Sequence, residues 1–353
     1  MNFASDNVTG ACPAVLDALI AANDGAATPY GDDPWTARVQ DRLRALFDKP
    51  DLLAFPVATG TAANALALAA LSPPYGAIYC HRDAHINVDE CGAPELYTGG
   101  AKLVPLPGEG AKIASDSLAQ AVRGQGVVHH VQPAAVSITQ ATEAGCVYRP
   151  EEVAALAETA RSKGLKLHMD GARFANAVAA LAVSPAEVTW KAGVDVLSFG
   201  ATKNGCLAAE AVVFFRPELA QAFAFHRKRA GHLLSKGRVV SAQLEAYLTD
   251  GLWLENARHA NAMARHLAEG LATVPGCRLV FPVEANEVFT ELSEAVLTAL
   301  QAAGIRFIDG FPGPGVQRFV CAWNTRIEDV RTLVGTAQTA AHVAPAQAGR
   351  GGG

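Results

Sequence analysis

Between about Leu52 and Phe215 short runs rich in β-branched and aromatic residues alternate with Ala-rich stretches of helical character. They read LLAFPV then TAANALALAAL, AIYC, KLVPL then DSLAQAV, AAVSITQ then PEEVAALAETARSKG, LKLHMD then ARFANAVAAL, VDVLSFG and AVVFF. Strands that are apolar along their whole length and return after a helix form a largely parallel sheet covered on both faces, so the fold class is α/β. Ligands of such sheets lie beyond the carboxyl ends of the strands, and function is expected from the residues that follow each strand.

The alternation is flanked by other patterns. A helical stretch over 13–23, a loop TPYGDDP and a second helical stretch over 35–47 precede it. Beyond Tyr247 the order becomes a long helix over 252–272, strands near CRLVF and EVFTEL, a helix over 294–303, strands IRFI and VQRFVCAW, and a last helix from Ile327. This is the pattern of a smaller α+β unit with an antiparallel sheet. The expected organisation is an arm over 1–23, a large domain over 24–246, a small domain over 247–342 and a disordered tail over 343–353 that ends in GRGGG.

Charge narrows the partners. Twenty-nine Lys and Arg against 34 Asp and Glu leave a net charge of -5, which gives no positive field to hold nucleic acid or an anionic membrane. No apolar run reaches the ~18 residues of a membrane span, and MNFASDNVTGACPA has neither the basic start nor the apolar core of a secretory leader. Seven cysteines, an odd number without a C-x-x-C pair, fit reduced thiols in a cytoplasmic protein. A small-molecule partner is expected.

Three elements carry chemistry. Lys203 follows the strand VDVLSFG among small residues and before a turn-forming Asn-Gly. A Lys at such a strand mouth is either a solvated cation or an amine available for covalent capture of a carbonyl. Asp170 closes the strand LKLHMD before GARFANA; it is either a turn or helix-capping carboxylate, or the partner of a protonated pyridine nitrogen. Thr59, Gly60 and Thr61 stand between LLAFPV and a helix expected to begin around Ala62. Thr59 there is a plain N-cap, or the group forms a phosphate cradle on the open helix terminus. No dinucleotide or P-loop glycine motif occupies any strand-to-helix turn. In combination and in this order the three elements describe a pyridoxal-phosphate site.

HMDGARFANA, SFGATKNG, ATGTAANALAL, ITQATEAGCVYRPEEV, AHINVDECGAPELY, ASDNVTG, YGDDPW and VQRFVCAW resemble segments of the low-specificity L-threonine aldolases, over roughly residues 2–338. These belong to the aspartate-aminotransferase-like pyridoxal-phosphate superfamily. The resemblance implies fold type I, with a mainly parallel seven-stranded sheet, and retro-aldol cleavage of L-threonine, L-allo-threonine or phenylserine to glycine and an aldehyde. It implies that Lys203 carries pyridoxal 5'-phosphate covalently, that Asp170 pairs with the ring nitrogen, and that Arg173 lies near the ring and the substrate. Thr59, Gly60 and Thr61 are implied as phosphate binders. His85 is implied to stack on the ring within reach of the β-hydroxyl, and His129, in VVHHVQP, is a second candidate for proton transfer.

By the same resemblance Arg318 and Ser5 contact the substrate carboxylate, Tyr30 helps form the pocket, and Arg238 reaches a phosphate across a dimer interface. A homodimer or homotetramer with shared sites is therefore expected. His81 and His85 form an H-x-x-x-H pair, but no third ligand accompanies them and no metal is expected. Two rival functions remain: a pyridoxal-phosphate lyase that eliminates a β-substituent, and a non-catalytic carrier of the cofactor.

Overall fold

The computed structural model describes residues 1–343, so the tail expected over 343–353 lies, from residue 344, outside the described residues. Helices α1 (Pro13–Ala22) and α2 (Pro34–Leu46) each open on a proline, whose missing N–H costs nothing at a helix start. There follow β1 (Leu53–Val57), α3 (Gly60–Leu71), β2 (Gly76–His81), α4 (His85–Val88), α5 (Ala93–Thr98), β3 (Lys102–Leu106) and α6 (Ser115–Ala121). Then come β4 (Gln132–Thr139), α7 (Pro150–Ser162), β5 (Lys166–Gly171), α8 (Phe174–Leu181), β6 (Val196–Gly200), β7 (Glu210–Phe214), α9 (Phe223–Arg229) and α10 (Arg238–Tyr247). The C-terminal elements are α11 (Leu252–Ala272), β8 (Arg278–Leu279), β9 (Glu287–Glu291), α12 (Glu294–Ala302), β10 (Ile308–Asp309), β11 (Gln317–Val320) and α13 (Ile327–Val343).

The first seven strands form one sheet in the order β1-β7-β6-β5-β4-β2-β3. Only β7 runs against its neighbours; β2 to β6 are mutually parallel. Both faces are covered, as continuous apolar strands require. One face packs Phe47, Phe174, Phe199, Phe215 and Trp253 into an aromatic cluster, and the other buries Leu66, Ile78, Val212 and Phe223. Ala63 and Ala67 of α3 are fully buried, and their small side chains let the helix lie close to the sheet. α3 starts at Gly60 rather than Ala62, because Thr59 caps it by accepting the Ala62 N–H at 3.2 Å.

The second sheet, β10-β11-β9-β8, is antiparallel throughout, as expected. The N-terminal arm is tied to it. The Phe3 N–H donates to Arg306 O and the Phe3 carbonyl accepts the Val320 N–H, both at 2.8 Å, and the Phe3 ring is buried with Leu267, Phe319 and Leu333. Among the described residues no helix is long and apolar enough to cross a membrane.

Two glycines let the ends of β5 and β6 close on each other. A Cβ on Gly200 would lie 2.6 Å from the carbonyl oxygens of Gly171 and Ala172, and one on Gly171 would lie 2.6 Å from that of Ser198. The obstacle is backbone, which cannot swing aside. Gly200→Ala is expected to cost about 1–3 kcal/mol of stability, read as a lowered urea midpoint.

Candidate active site

Beyond the carboxyl ends of β4, β5 and β6 lies a cavity of about 470 Å³, lined among others by Thr59, Gly60, Thr61, Asn64, His85, Asp170, Arg173 and Lys203. Its floor is Asp170, which is 4% exposed. One oxygen accepts the Ala172 N–H at 2.9 Å and the other accepts Asn64 Nδ2–H at 2.7 Å. Two donors, one on each oxygen, fix the orientation of this buried carboxylate.

Lys203 stands on a short 3₁₀ turn, Thr202–Asn204, directly after β6. Side chains beneath hold that turn. Asn204 Nδ2 donates to Tyr247 Oη at 2.7 Å and to the Trp253 carbonyl at 2.8 Å, while Asn256 Nδ2 donates to the Asn204 carbonyl at 2.9 Å. Gly205 supplies the left-handed exit, at φ 112°. Beside the lysine, Glu210 accepts the Ala201 N–H at 2.9 Å, and burial pushes its carboxyl from 4.5 up to about 7.

At the third wall the Thr59 hydroxyl and carbonyl take the N–H groups of Ala62 and Ala63. The amides of Gly60 and Thr61 have no partner among the described residues, and a Cβ on Gly60 would meet nothing within 4 Å. An open helix terminus of this kind suits an anion.

His85 begins α4, and its Nδ1 lies 2.8 Å from Glu90 Oε1. The Asn64 amide donates to that same oxygen at 2.8 Å, so Asn64 bridges the two buried carboxylates of Glu90 and Asp170. The Glu90 hydrogen bond raises the His85 pKa, against burial, and burial raises that of Glu90. A Nδ1–H directed at Glu90 leaves Nε2 as the free ring nitrogen. Glu143 also lines the cavity: it accepts the His85 backbone N–H at 2.9 Å and the Thr139 hydroxyl at 2.8 Å, and burial lifts its carboxyl to about 7. His81 is engaged elsewhere, with Nε2 3.1 Å from Gly108 O and Nδ1 accepting the Asp83 N–H.

Arg173 lines the cavity and forms a two-pronged pair with Asp6 at 2.8 and 3.0 Å. Burial would raise the Asp6 carboxyl, but Arg173 and Lys203 outweigh it and hold it below its ordinary range. Arg318 stands behind this pair, 3.8 Å from Glu287 and donating to Ala4 O at 3.3 Å. Ser5 is its near neighbour along the arm; its hydroxyl accepts the Asn7 N–H at 3.1 Å.

Five expected site residues do not line this cavity: Ser5 and Arg318, which stand behind the Arg173–Asp6 pair, and His129, Tyr30 and Arg238, which lie elsewhere. His129 is exposed in the loop that enters β4 at its amino end. The cavity lies past the other end of that eight-residue strand, on the order of 25 Å away. A single chain therefore does not bring His129 to its own cavity. Tyr30 and Arg238 lie together on the surface instead: Lys228 Nζ is 4.7 Å from the Tyr30 ring, and Arg238 donates to the carbonyls of Asp24 and Gly25. Sequence reasoning missed Asp6, Asn64, Glu90, Glu143, Glu210 and Glu287. Asn64 and Glu210 had a signal, each being a lone polar residue within an apolar run.

The family described as Beta-eliminating lyase matches residues 2–295. The chain belongs to this family. A low-specificity L-threonine aldolase of Pseudomonas aeruginosa is 50% identical over 94% of this chain and 95% of its own length. That of a Pseudomonas species is 48% identical over the same shares. The structure of the Leishmania major threonine aldolase is similar, with a TM-score of 0.90 at 26% identity, covering 96% of this chain and 99% of that one. The mainly parallel seven-stranded sheet agrees with the fold implied by the sequence.

Buried Glu210 yields a test in this lyase. Its native pKa of about 7 exceeds the ordinary 4.5, so between these values the native state holds a proton that the unfolded chain releases. Stability therefore falls as pH rises through that window. Glu210→Gln is expected to flatten the fall, measured as the difference between urea midpoints at pH 5 and pH 7.5.

Proposed function

We propose that the chain is a pyridoxal 5'-phosphate-dependent carbon–carbon lyase. It cleaves L-threonine, L-allo-threonine and bulkier β-hydroxy-α-amino acids such as phenylserine to glycine and an aldehyde. The observation that carries this reading is the meeting of Lys203, Asp170 and the open terminus of α3 in one cavity. The donor set fits the cofactor group by group: an amine for its carbonyl, a buried carboxylate held by two donors for its ring N–H, and unpartnered amides at Gly60 and Thr61 for its phosphate. When bound, the cofactor supplies an electron sink for the pair left on Cα as the Cα–Cβ bond breaks.

The chain's own residues do the rest. Arg173 and Arg318 receive the α-carboxylate through planar, two-pronged guanidinium groups and so fix the orientation of the amino acid. His85 Nε2 takes the β-hydroxyl proton, because Glu90 holds the opposite ring nitrogen and raises the basicity of the imidazole. Contacts concentrated on the amino-acid end leave Cβ loosely discriminated, which agrees with a broad substrate range.

Incubation with L-threonine is expected to yield equal amounts of acetaldehyde and glycine. The products 2-oxobutanoate and ammonia would identify a β-eliminating enzyme instead, and cofactor absorbance without turnover a carrier. Lys203→Ala should abolish the visible imine band and nearly all turnover, whereas Arg318→Lys should chiefly raise KM.

Oligomerisation, compartment and domain division belong to the same proposal. Exposed Tyr30 and Lys228 and half-buried Arg238 lie outside the lining of this chain's own cavity and bring two cations together, which supports a dimer or tetramer with shared sites. Light scattering should find no active monomer. The seven thiols, all free, support a cytoplasmic location. The two sheets have separate cores, and the change from one to the other falls within α11, between Ala257 and Met263, which supports a two-domain division somewhat later than residue 246.

A further inference from the structure

Behind the cavity four charged side chains form a closed set. Asp6 pairs with Arg173, and Asn286 Nδ2 donates to the same carboxylate at 3.1 Å. Glu287 lies 3.4 Å from Arg173 Nη1 and 3.8 Å from Arg318 Nη1. Asp6 and Glu287 are each 1% exposed, so solvent screens neither. Two carboxylates and two guanidiniums sum to zero charge.

The Asp6 half is saturated with hydrogen bonds, and the Glu287 half is not. Neither oxygen of Glu287, nor Arg318 Nε, has a hydrogen-bond partner among the described residues, although all three atoms are buried. A buried ion pair held short of hydrogen-bond geometry keeps its Coulomb attraction but leaves its desolvation uncompensated. The backbone of Glu287 is fixed within β9, paired to Val320. Arg173 thus keeps only its Nη1 edge, beside Glu287, uncommitted to Asp6, and Arg318 keeps an unpartnered Nε behind it. Arg173 is on the cavity wall, and Asp89 of the same wall acts on Arg318.

We propose that Glu287 is a built-in competitor for the substrate's α-carboxylate, a positioning residue that neutralises Arg173 and Arg318 and thereby sets how tightly amino acids are held. This inference rests on the aldolase reading given above. Substrate and product glycine share the amino group and the carboxylate, so contacts at that end hold both equally and do not speed the bond cleavage. A net-positive pocket would retain glycine. A pocket brought to zero charge by a fixed internal carboxylate still orients the incoming carboxylate through the guanidinium forks, but it binds weakly enough to release the product.

The test uses the holoenzyme at pH 8, on the alkaline side, because burial pushes the Glu287 carboxyl up while both guanidiniums oppose that push. Glu287→Gln keeps the shape and removes the charge. The Kd of glycine, measured by titration calorimetry, and KM for L-threonine are both expected to fall by about tenfold, with kcat equal or lower. A residue that merely props Arg318 would give the opposite sign, so an unchanged or raised Kd overturns the proposal. Should Glu287→Gln not fold, Asp6→Asn removes the other charge of the set and is expected to lower the glycine Kd by about threefold; no decrease would be equally fatal. Wild-type protein that binds glycine yet cleaves no threonine would sink the aldolase reading, while the glycine comparison would still decide the role of Glu287.

Discussion

Strand direction is the constraint on which the site depends. Parallel pairing sets Thr139 beside Asp170 and Gly171 beside Phe199, so β4, β5 and β6 finish at one edge of the sheet. β1 is antiparallel to β7, and β7 to β6. Two reversals restore the original direction, and the helix that follows β1 therefore opens at the same edge as Asp170 and Lys203. A chain segment some 140 residues before Lys203 reaches it by this arithmetic of directions rather than by any local contact.

The alternation of strands and helices, the antiparallel second sheet, and the placement of Lys203, Asp170 and Thr59 to Thr61 were legible in the sequence. Each rests on a local rule: periodicity, a strand end, or a helix start. His129 fails that same rule, because it precedes a strand, and the likeness of its segment to a family motif says nothing about which end of the sheet it occupies. The acids at the site were hidden for a different reason. Asp6 and Glu287 lie far apart in sequence and meet Arg173 only through tertiary packing, and nothing in their neighbours distinguishes a buried carboxylate from a solvated one.

The carboxyls around the cavity differ in whether a cation offsets their burial. Asp170 accepts from Asn64 and from the Ala172 amide, and Asp6 from Arg173 and Asn286. Glu143 and Glu210 are pushed up to about 7 by burial despite the hydrogen bonds each accepts. One small volume thus contains a carboxyl held down by a guanidinium, Asp6, alongside two acids poised near neutrality, a separation that environment produces from a single functional group.

The arm joins the beginning of the chain to its end. Phe3 bonds to Arg306 and Val320, and Asp6 to Arg173 and Asn286. During synthesis the arm leaves the ribosome first, yet its partners near residue 320 emerge last. The large sheet can assemble while the nascent peptide is still tethered, but its guanidinium wall stays unfinished until Arg318 has emerged. Competence to receive an amino acid is thereby deferred until the second sheet has joined the first.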